Sequence, residues 1–346
     1  MKKTILATLA IASMMSCSNE ELLEAPAQQA ITFGNTFVEK APGTRAAYDG
    51  SYTTSSLTQF QVYGTITNKD NQSGNIFNGN DVLFNGKAWN YTGGLNYWIP
   101  GNTYNFAATV HGSEDAAIST SFNSLGMPTT IQVDDASVQK DILYAQFGPI
   151  EHGTTPWGEV VEFTFRHLMA KAKFTVKNTV STDNGYNYVV SGIQITTDKN
   201  GIYDVASGKW SRATTPATYT LPFGNAVEKG ILPTEEMPEG AVPVAIGFNS
   251  KAESNFERLL IPNEYKADGS KKLTVTFTCV TRIGTAVLRT ETKEVTTQKD
   301  VVLEKGKAYN FIISLGNPGE KIQFTVEKIN DWETNHEGYN PGVEVK

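Results

Sequence analysis

Residues 161–176 read VEFTFRHLMAKAKFTV, and their pattern decides the fold class. Val161, Phe163 and Phe165 alternate with Glu162, Thr164 and Arg166, and the alternation resumes at Ala172, Phe174 and Val176. A side-chain period of two puts one set of residues in a core and the other in water, which is the antiparallel-strand signature. The same pattern runs through 60–66 (FQVYGTI), 104–110 (YNFAATV), 273–279 (LTVTFTC), 309–315 (YNFIISL) and 322–326 (IQFTV). Turn chemistry separates the runs: DNQSG at 70–74, NG at 78–79, DNG at 183–185, KNG at 199–201 and ADG at 267–269. Tyr188 and Val190 are out of phase with Ile193 and Ile195, and Gly192 between them predicts a bulge. Helix is nearly absent, with one or two turns expected over Ser254 to Leu260 before Pro262.

Many short strands with regular turns predict an all-β protein built of antiparallel β-sandwiches. The length of 346 residues suits two domains. We place the boundary at GTTPWG (153–158), giving sandwiches over 31–157 and 158–332.

Hydrophobic residues make up 39% of the chain and charged residues 19%, enough apolar material for real cores. The net charge of -7 argues against a nucleic-acid partner, because phosphate neutralisation needs a basic face. The N-terminus reads as an export signal. Lys2 and Lys3 precede an uncharged apolar run from Thr4 to Met15, too short to span a bilayer, and Ser16 is the small residue a signal peptidase needs. Cys17 follows directly, so Met14-Met15-Ser16-Cys17 fits a lipobox. Residues 1–16 are then the signal peptide, and 17–30 a lipidated polar linker on the outer membrane. Each buried CH₂ of an acyl chain is worth roughly 0.8 kcal/mol, so two or three chains anchor stably. The only other cysteine, Cys279, shares a strand face with Leu273, Val275 and Phe277 and is expected to be a small buried hydrophobe.

The residues point to no reaction and no cofactor. His111, His152, His167 and His336 lack metal-ligand spacing, and no nucleophile elbow, phosphate loop or dinucleotide fingerprint occurs. The Asp198 to Asp204 stretch resembles a calcium loop only faintly, lacks the bidentate Glu and reads as a hairpin turn. His167 reads as a hydrogen-bonded core or inter-domain histidine. Trp89, Tyr91, Tyr97 and Trp98 cluster in the first half, as core packing or as a sugar-stacking surface.

Three ordered pieces resemble the fimbrillin family of type V pilus subunits. They are ITFG (31–34) with GTRA (43–46); DILYA (141–145) with residues 161–176; and LEKGKAYNF (303–311) with IQFTVEKINDW (322–332). The resemblance implies two tandem transthyretin-like antiparallel β-sandwich domains and no enzymatic activity. It also implies export as a lipoprotein, a cut after an arginine by a surface trypsin-like protease, and loss of the first strand. A strand from another pilus subunit would then fill the vacated groove. On that reading the cut falls between Arg45 and Ala46, and residues 31–45 hold the removable strand. Pro42 and Gly43 disfavour regular structure there; alternatively, Arg45 is a solvated loop residue. Residues 333–346 form a tail in which Val343 and Val345 alternate with Glu344. That tail is a donor strand, a frayed end or an edge strand. The expected function is a structural or adhesin subunit of a cell-surface fimbria, with a host or glycan receptor among its partners. The rival is a monomeric lipid-anchored surface glycan-binding protein.

Overall fold

The computed structural model describes residues 29–34, 36–38, 52–111, 117–151, 159–180, 182–212, 216–221, 244–253 and 258–331. Among them the only helix is a single 3-10 turn, Ala136–Val138. The rest is sheet and connection, as the period-two pattern dictates.

The first sheet has seven strands. In spatial order they are β1 (Phe37–Val38), β9 (Thr164–His167), β8 (Leu143–Glu151), β5 (Thr103–Val110), β2 (Gln59–Thr67), β3 (Ser73–Phe84) and β4 (Trp89–Tyr91). A four-stranded sheet follows the order β13 (Lys209–Arg212), β12 (Gly201–Asp204), β7 (Pro128–Val133) and β6 (Ile118–Phe122). Two further sheets form the faces of a sandwich. One runs β16 (Lys251–Glu253), β10 (Ala170–Asn178), β22 (Lys307–Leu315) and β23 (Gln323–Asp331), with β17 (Arg258–Leu260) also on β10. The other runs β14 (Pro216–Leu221), β11 (Tyr186–Asp198), β19 (Thr274–Ile283) and β20 (Ala286–Thr296), with β15 (Val244–Ile246) also on β11. A short pair, β18 (Asn263–Tyr265) and β21 (Val301–Leu303), completes the set.

Alternation builds two cores. Phe174, Val176, Phe311 and Ile313 from one sandwich sheet meet Ile193, Ile195, Val275, Phe277 and Cys279 from the other. Phe174 and Phe311 pack edge to face at 5.0 Å. The smaller core gathers Phe60, Val62, Phe77, Phe106, Ala108, Val110, Phe163 and Phe165 on one face of the seven-stranded sheet. The opposite face of that sheet sends Tyr63, Ala107 and Tyr144 into the larger core. Successive residues of β5 and β8 therefore face different cores, and the centre of this sheet is dry on both sides. The halves also share hydrogen bonds, since β7 pairs with β12. The expected boundary at 157/158 falls among residues 152–158, outside the described residues. Along residues 161–176 the buried side chains pass from the smaller core at Phe165 to the larger at Leu168, but Ile118, Ile131, Val133 and Ile142, earlier in the chain, already belong to the larger.

The predicted bulge at Gly192 is present: the register shifts between Ser191 and Gln194, and Gly192 has φ +59. Three expectations need correction. Asn78-Gly79 is no turn; it lies inside β3, where Gly79 at φ +77 makes a bulge opposite Val62 and Tyr63. Residues 258–260 are a strand, β17, paired antiparallel with β10. Leu259 and Leu260 are buried there, and the Gln139 side chain mimics a neighbouring strand. Its Oε1 accepts the Leu259 N–H at 2.8 Å and its Nε2 donates to the Leu259 carbonyl at 2.9 Å. Finally, pairing is not purely antiparallel: β1 with β9 and β10 with β22 are parallel. The long excursion through residues 179–306 allows the second pair, since a parallel return needs a crossover.

Candidate functional site: the seat of residues 29–38

The ITFG motif opens an extended segment that closes the seven-stranded sheet on itself. Residues 29–38 lie between the β4 edge and the β9 edge and bond to both. On the β4 side, Ile31 N–H donates to the Asn96 carbonyl at 2.8 Å, and Trp98 N–H donates to the Gln29 carbonyl at 2.9 Å. On the β9 side, Val161 N–H donates to Thr32 O, Gly34 N–H to Val161 O and Phe37 N–H to Phe163 O, each at 2.9 Å. Bridges of Ala30 to Tyr97 and Phe33 to Trp89 are antiparallel, whereas Phe33 to Val161 and β1 to β9 are parallel. Both edges thus have their backbone groups satisfied by one segment. Removing it would leave them open, and open edges template strand addition.

The segment's side chains finish the smaller core. Ile31 is 0% exposed, Val38 3% and Phe33 5%. Phe33 sits among Phe60, Phe77, Tyr91 and Phe163, with ring centroids 5.6–6.0 Å away. Inward positions are 31 and 33, then 36 and 38, because Thr36 is buried and Phe37 is exposed. The alternation therefore changes phase between Phe33 and Thr36. Gly34 lies at the phase change, against the outward side chains of the β9 edge. A Cβ there would stand 2.5 Å from Val160 Cγ1 and 3.0 Å from Glu162 Oε1.

Chain on both sides of residues 39–51 is pinned at one corner. Val38 N–H donates to Thr54 Oγ1 at 3.0 Å, and the Thr54 hydroxyl donates back to the Val38 carbonyl at 3.2 Å. Tyr52 N–H donates to Asp141 Oδ2 at 2.8 Å, and His167 Nδ1 lies 2.8 Å from the same oxygen. The Asp141 and His167 side chains are wholly buried. Of the two readings of His167, core or inter-domain, the hydrogen-bonded core residue is the one met, on β9.

Arg45 and Ala46 fall within 39–51 and, like Cys17, Val343 and Val345, lie outside the described residues. The aromatic cluster divides. Trp98 is buried, edge to face with Tyr104 at 4.7 Å, and Trp89 and Tyr91 pack half-buried on the smaller core. Tyr97 is exposed. Cys279 is a free buried thiol, and burial pushes its pKa up to about 12. Asp198 is held by Lys271 at 2.8 Å and by Asn263. Among the described residues no three acidic, His or Cys side chains form a metal cluster. The sequence reading missed the phase change at Gly34 and the Tyr52–Asp141–His167 corner. The signal for the corner was available: a lone Asp141 opens an otherwise apolar stretch, and a carboxylate beside buried strands needs donors.

Fold and seat define an all-β sandwich protein whose smaller core is closed by its own N-terminal strand. A fimbrillin-like family profile matches residues 44–332, so the chain belongs to the fimbrillin-like family. Among solved structures, a fimbrial protein from Bacteroides vulgatus is similar at TM-score 0.57 and 17% identity, over 87% of this chain and 99% of that one. A cell adhesion protein from Bacteroides ovatus aligns at TM-score 0.45 and 15% identity, over 87% and 98% of the two chains. The fimbrial anchor protein Mfa2 from Porphyromonas gingivalis aligns at 0.34 and 11%, over 87% and 98%. No curated protein sequence matches the chain.

Proposed function

We propose that this chain is a subunit of a cell-surface fimbria, a protein of assembly and adhesion and not an enzyme. It is exported as a lipoprotein acylated on Cys17 and held at the outer membrane. A surface trypsin-like protease cuts between Arg45 and Ala46. Residues 29–38 then leave their seat, and a strand from another pilus subunit takes their place. The single observation that supports this reading is the seat itself. One short segment supplies the backbone bonds of two edges and leads into a stretch that returns to the same corner. A cut within 39–51 would separate the strand while Tyr52 stays bonded to Asp141. A vacated seat would present unpaired N–H and C=O groups beside an apolar slot, the template used in strand addition. Strand insertion between copies is head to tail, so it propagates and does not close as a dimer. Residues 333–346, with Val343 and Val345 alternating, are the strand this subunit offers in turn. The two cores belong, on this reading, to tandem transthyretin-like sandwiches.

The test is the N-terminus of the surface form. Ala46 is expected as the first residue in the wild type, and the acylated Cys17 form is expected to persist in Arg45→Ala. A wild-type surface protein that still carries residues 29–38 covalently would refute the reading.

A further inference from the structure

The chain enters its fold beside a row of outward apolar side chains. We propose that Leu95, Tyr97 and Ile99 are a membrane-docking face of the uncut lipoprotein, seated in the headgroup and upper acyl region of the bilayer that holds Cys17. This inference rests on the lipoprotein reading above and gives its anchored form an orientation.

The row is fixed by its neighbours. Tyr97 bridges to Ala30 as in an antiparallel strand, and in strands successive side chains point to opposite sides. Asn96 is tied down: its N–H donates to the Tyr91 hydroxyl at 2.9 Å and its Nδ2 to the Ile76 carbonyl at 2.8 Å. Trp98 is buried edge to face against Tyr104 and Phe106, and the Ile99 N–H donates to the Tyr104 hydroxyl at 2.6 Å. With positions 96 and 98 held, Leu95, Tyr97 and Ile99 are turned out, at 63%, 39% and 52% exposure. Alternate residues of an extended run stand about 7 Å apart, so the three form a straight, pre-set line. Two aliphatic side chains flanking a tyrosine suit a membrane interface, where the ring lies in the apolar layer and the hydroxyl among headgroups.

Charge and tether point the same way. Residues 82–113 contain no Asp or Glu, and Lys87 is their only Lys or Arg, against 19% charged residues in the whole chain. Bringing ionised groups to an apolar layer is costly, so an uncharged stretch is what such a layer tolerates. The Trp98 N–H donates to the Gln29 carbonyl at 2.9 Å, so the chain toward Cys17 leaves the fold next to the row. Residues 17–29 reach about 40 Å when fully extended and span about 20 Å as a coil. A tether of that length makes docking intramolecular, at an effective concentration on the order of millimolar, so a small row suffices.

The test couples the chain from Cys17 onward, through the Cys17 thiol, to maleimide-bearing lipid in vesicles of phosphatidylethanolamine and phosphatidylglycerol. Cys279 is buried and does not compete. A photoreactive benzoylphenylalanine at position 97 is expected to cross-link to lipid. The same group at position 302, where Val302 is 52% exposed on β21 of the larger core, is expected not to. Leu95→Ser combined with Ile99→Ser should lower the position-97 yield by about fivefold. Urea unfolding should not change, because both side chains are exposed. Equal lipid cross-linking from 97 and 302, an unchanged yield in the double variant, or cross-linking from 97 to a second copy of the chain in place of lipid would each overturn the proposal. Coupling supplies the tether whether or not the cell acylates Cys17. The lipoprotein reading is checked separately, by the mass of the Cys17 peptide from cells carrying Arg45→Ala, so the two failures are told apart.

Discussion

Phe33→Ala is the sharpest probe of what holds residues 29–38 in place. The ring is 5% exposed and touches four other aromatic rings. Truncating a buried Phe costs about 3–5 kcal/mol, the transfer term plus the cavity left behind. The cage around Phe33 is made of rings on three separate strands and the β9 edge, so it cannot collapse, which favours the upper part of that range. The segment is short and can detach without unfolding the larger core. Its loss of affinity for the seat is therefore best read locally, by native-state hydrogen exchange at the Gly34 and Phe37 amides. A loss of about 3 kcal/mol speeds exchange by about two decades. Phe37→Ala is the internal control. That ring is 52% exposed, and its loss should change exchange by less than about tenfold. If Phe33→Ala moved exchange no further than Phe37→Ala does, the cage would not be what retains the segment, and the argument for a side-chain-specific seat would fail with it.

Cys279 should resist alkylation at pH 8 in the folded protein and react fully in denaturant, because burial raises its pKa to about 12. A folded pKa above the unfolded value of about 8.5 means that the unfolded state binds fewer protons at alkaline pH. The stabilisation from Cys279 is therefore complete below about pH 8.5 and is lost as pH rises toward 12, by about 1.4 kcal/mol per unit. Tyr188, raised to about 12 mainly by desolvation, adds in the same direction above its own unfolded value. Urea midpoints of Cys279→Ala should accordingly fall less steeply than wild type between pH 9 and 11, and parallel curves would contradict this. Lys271→Met removes a partner of the buried Asp198 carboxylate and should cost about 3 kcal/mol in urea unfolding; a change under about 0.5 kcal/mol would show that Asp198 is satisfied without Lys271.

Fold class was legible because period-two patterning is a local property. Leu273, Val275, Phe277 and Cys279 lie on one buried face, as their spacing required. The bulge at Gly192 was legible for the same reason, from two phases of one strand. Pairing was not legible. Asn78-Gly79 carries hairpin chemistry, yet β3 continues through it, since a bulge and a turn both ask for φ > 0. Leu259 and Leu260 are equally good in a helix or a strand, and only the free β10 edge with Gln139 beside it decides for the strand. The pairing of β7 with β12 joins residues some seventy positions apart, and no periodicity encodes a partner at that distance. At the seat, Ile31 and Phe33 announced a strand. The phase change at Gly34 was not legible, because the two inward pairs, 31 and 33 then 36 and 38, are out of step and only the seat shows that both are buried.

The division of the protein into two cores decides what a cut after Arg45 can do by itself. Ile31, Phe33 and Val38 belong to the smaller core alone, so the larger one keeps its sheets paired whether the segment is seated or absent. Without it, Phe60, Phe77, Tyr91 and Phe163 would line an open apolar slot, a surface that water disfavours and that invites aggregation. The cut breaks a covalent link, but it removes neither the backbone bonds to Asn96, Trp98, Val161 and Phe163 nor the three buried side chains. On the proposed maturation, a cut there would therefore be permissive: the severed segment is expected to stay seated until a competing strand displaces it. Purified chain, nicked after Arg45 with no other subunit present, should retain the fragment containing residues 29–45 through native gel filtration. It should release the fragment in SDS or on addition of excess peptide 29–38. Prompt loss of the fragment on cutting, with a monomeric soluble remainder, would show that the covalent connection held the strand and that the seat alone does not.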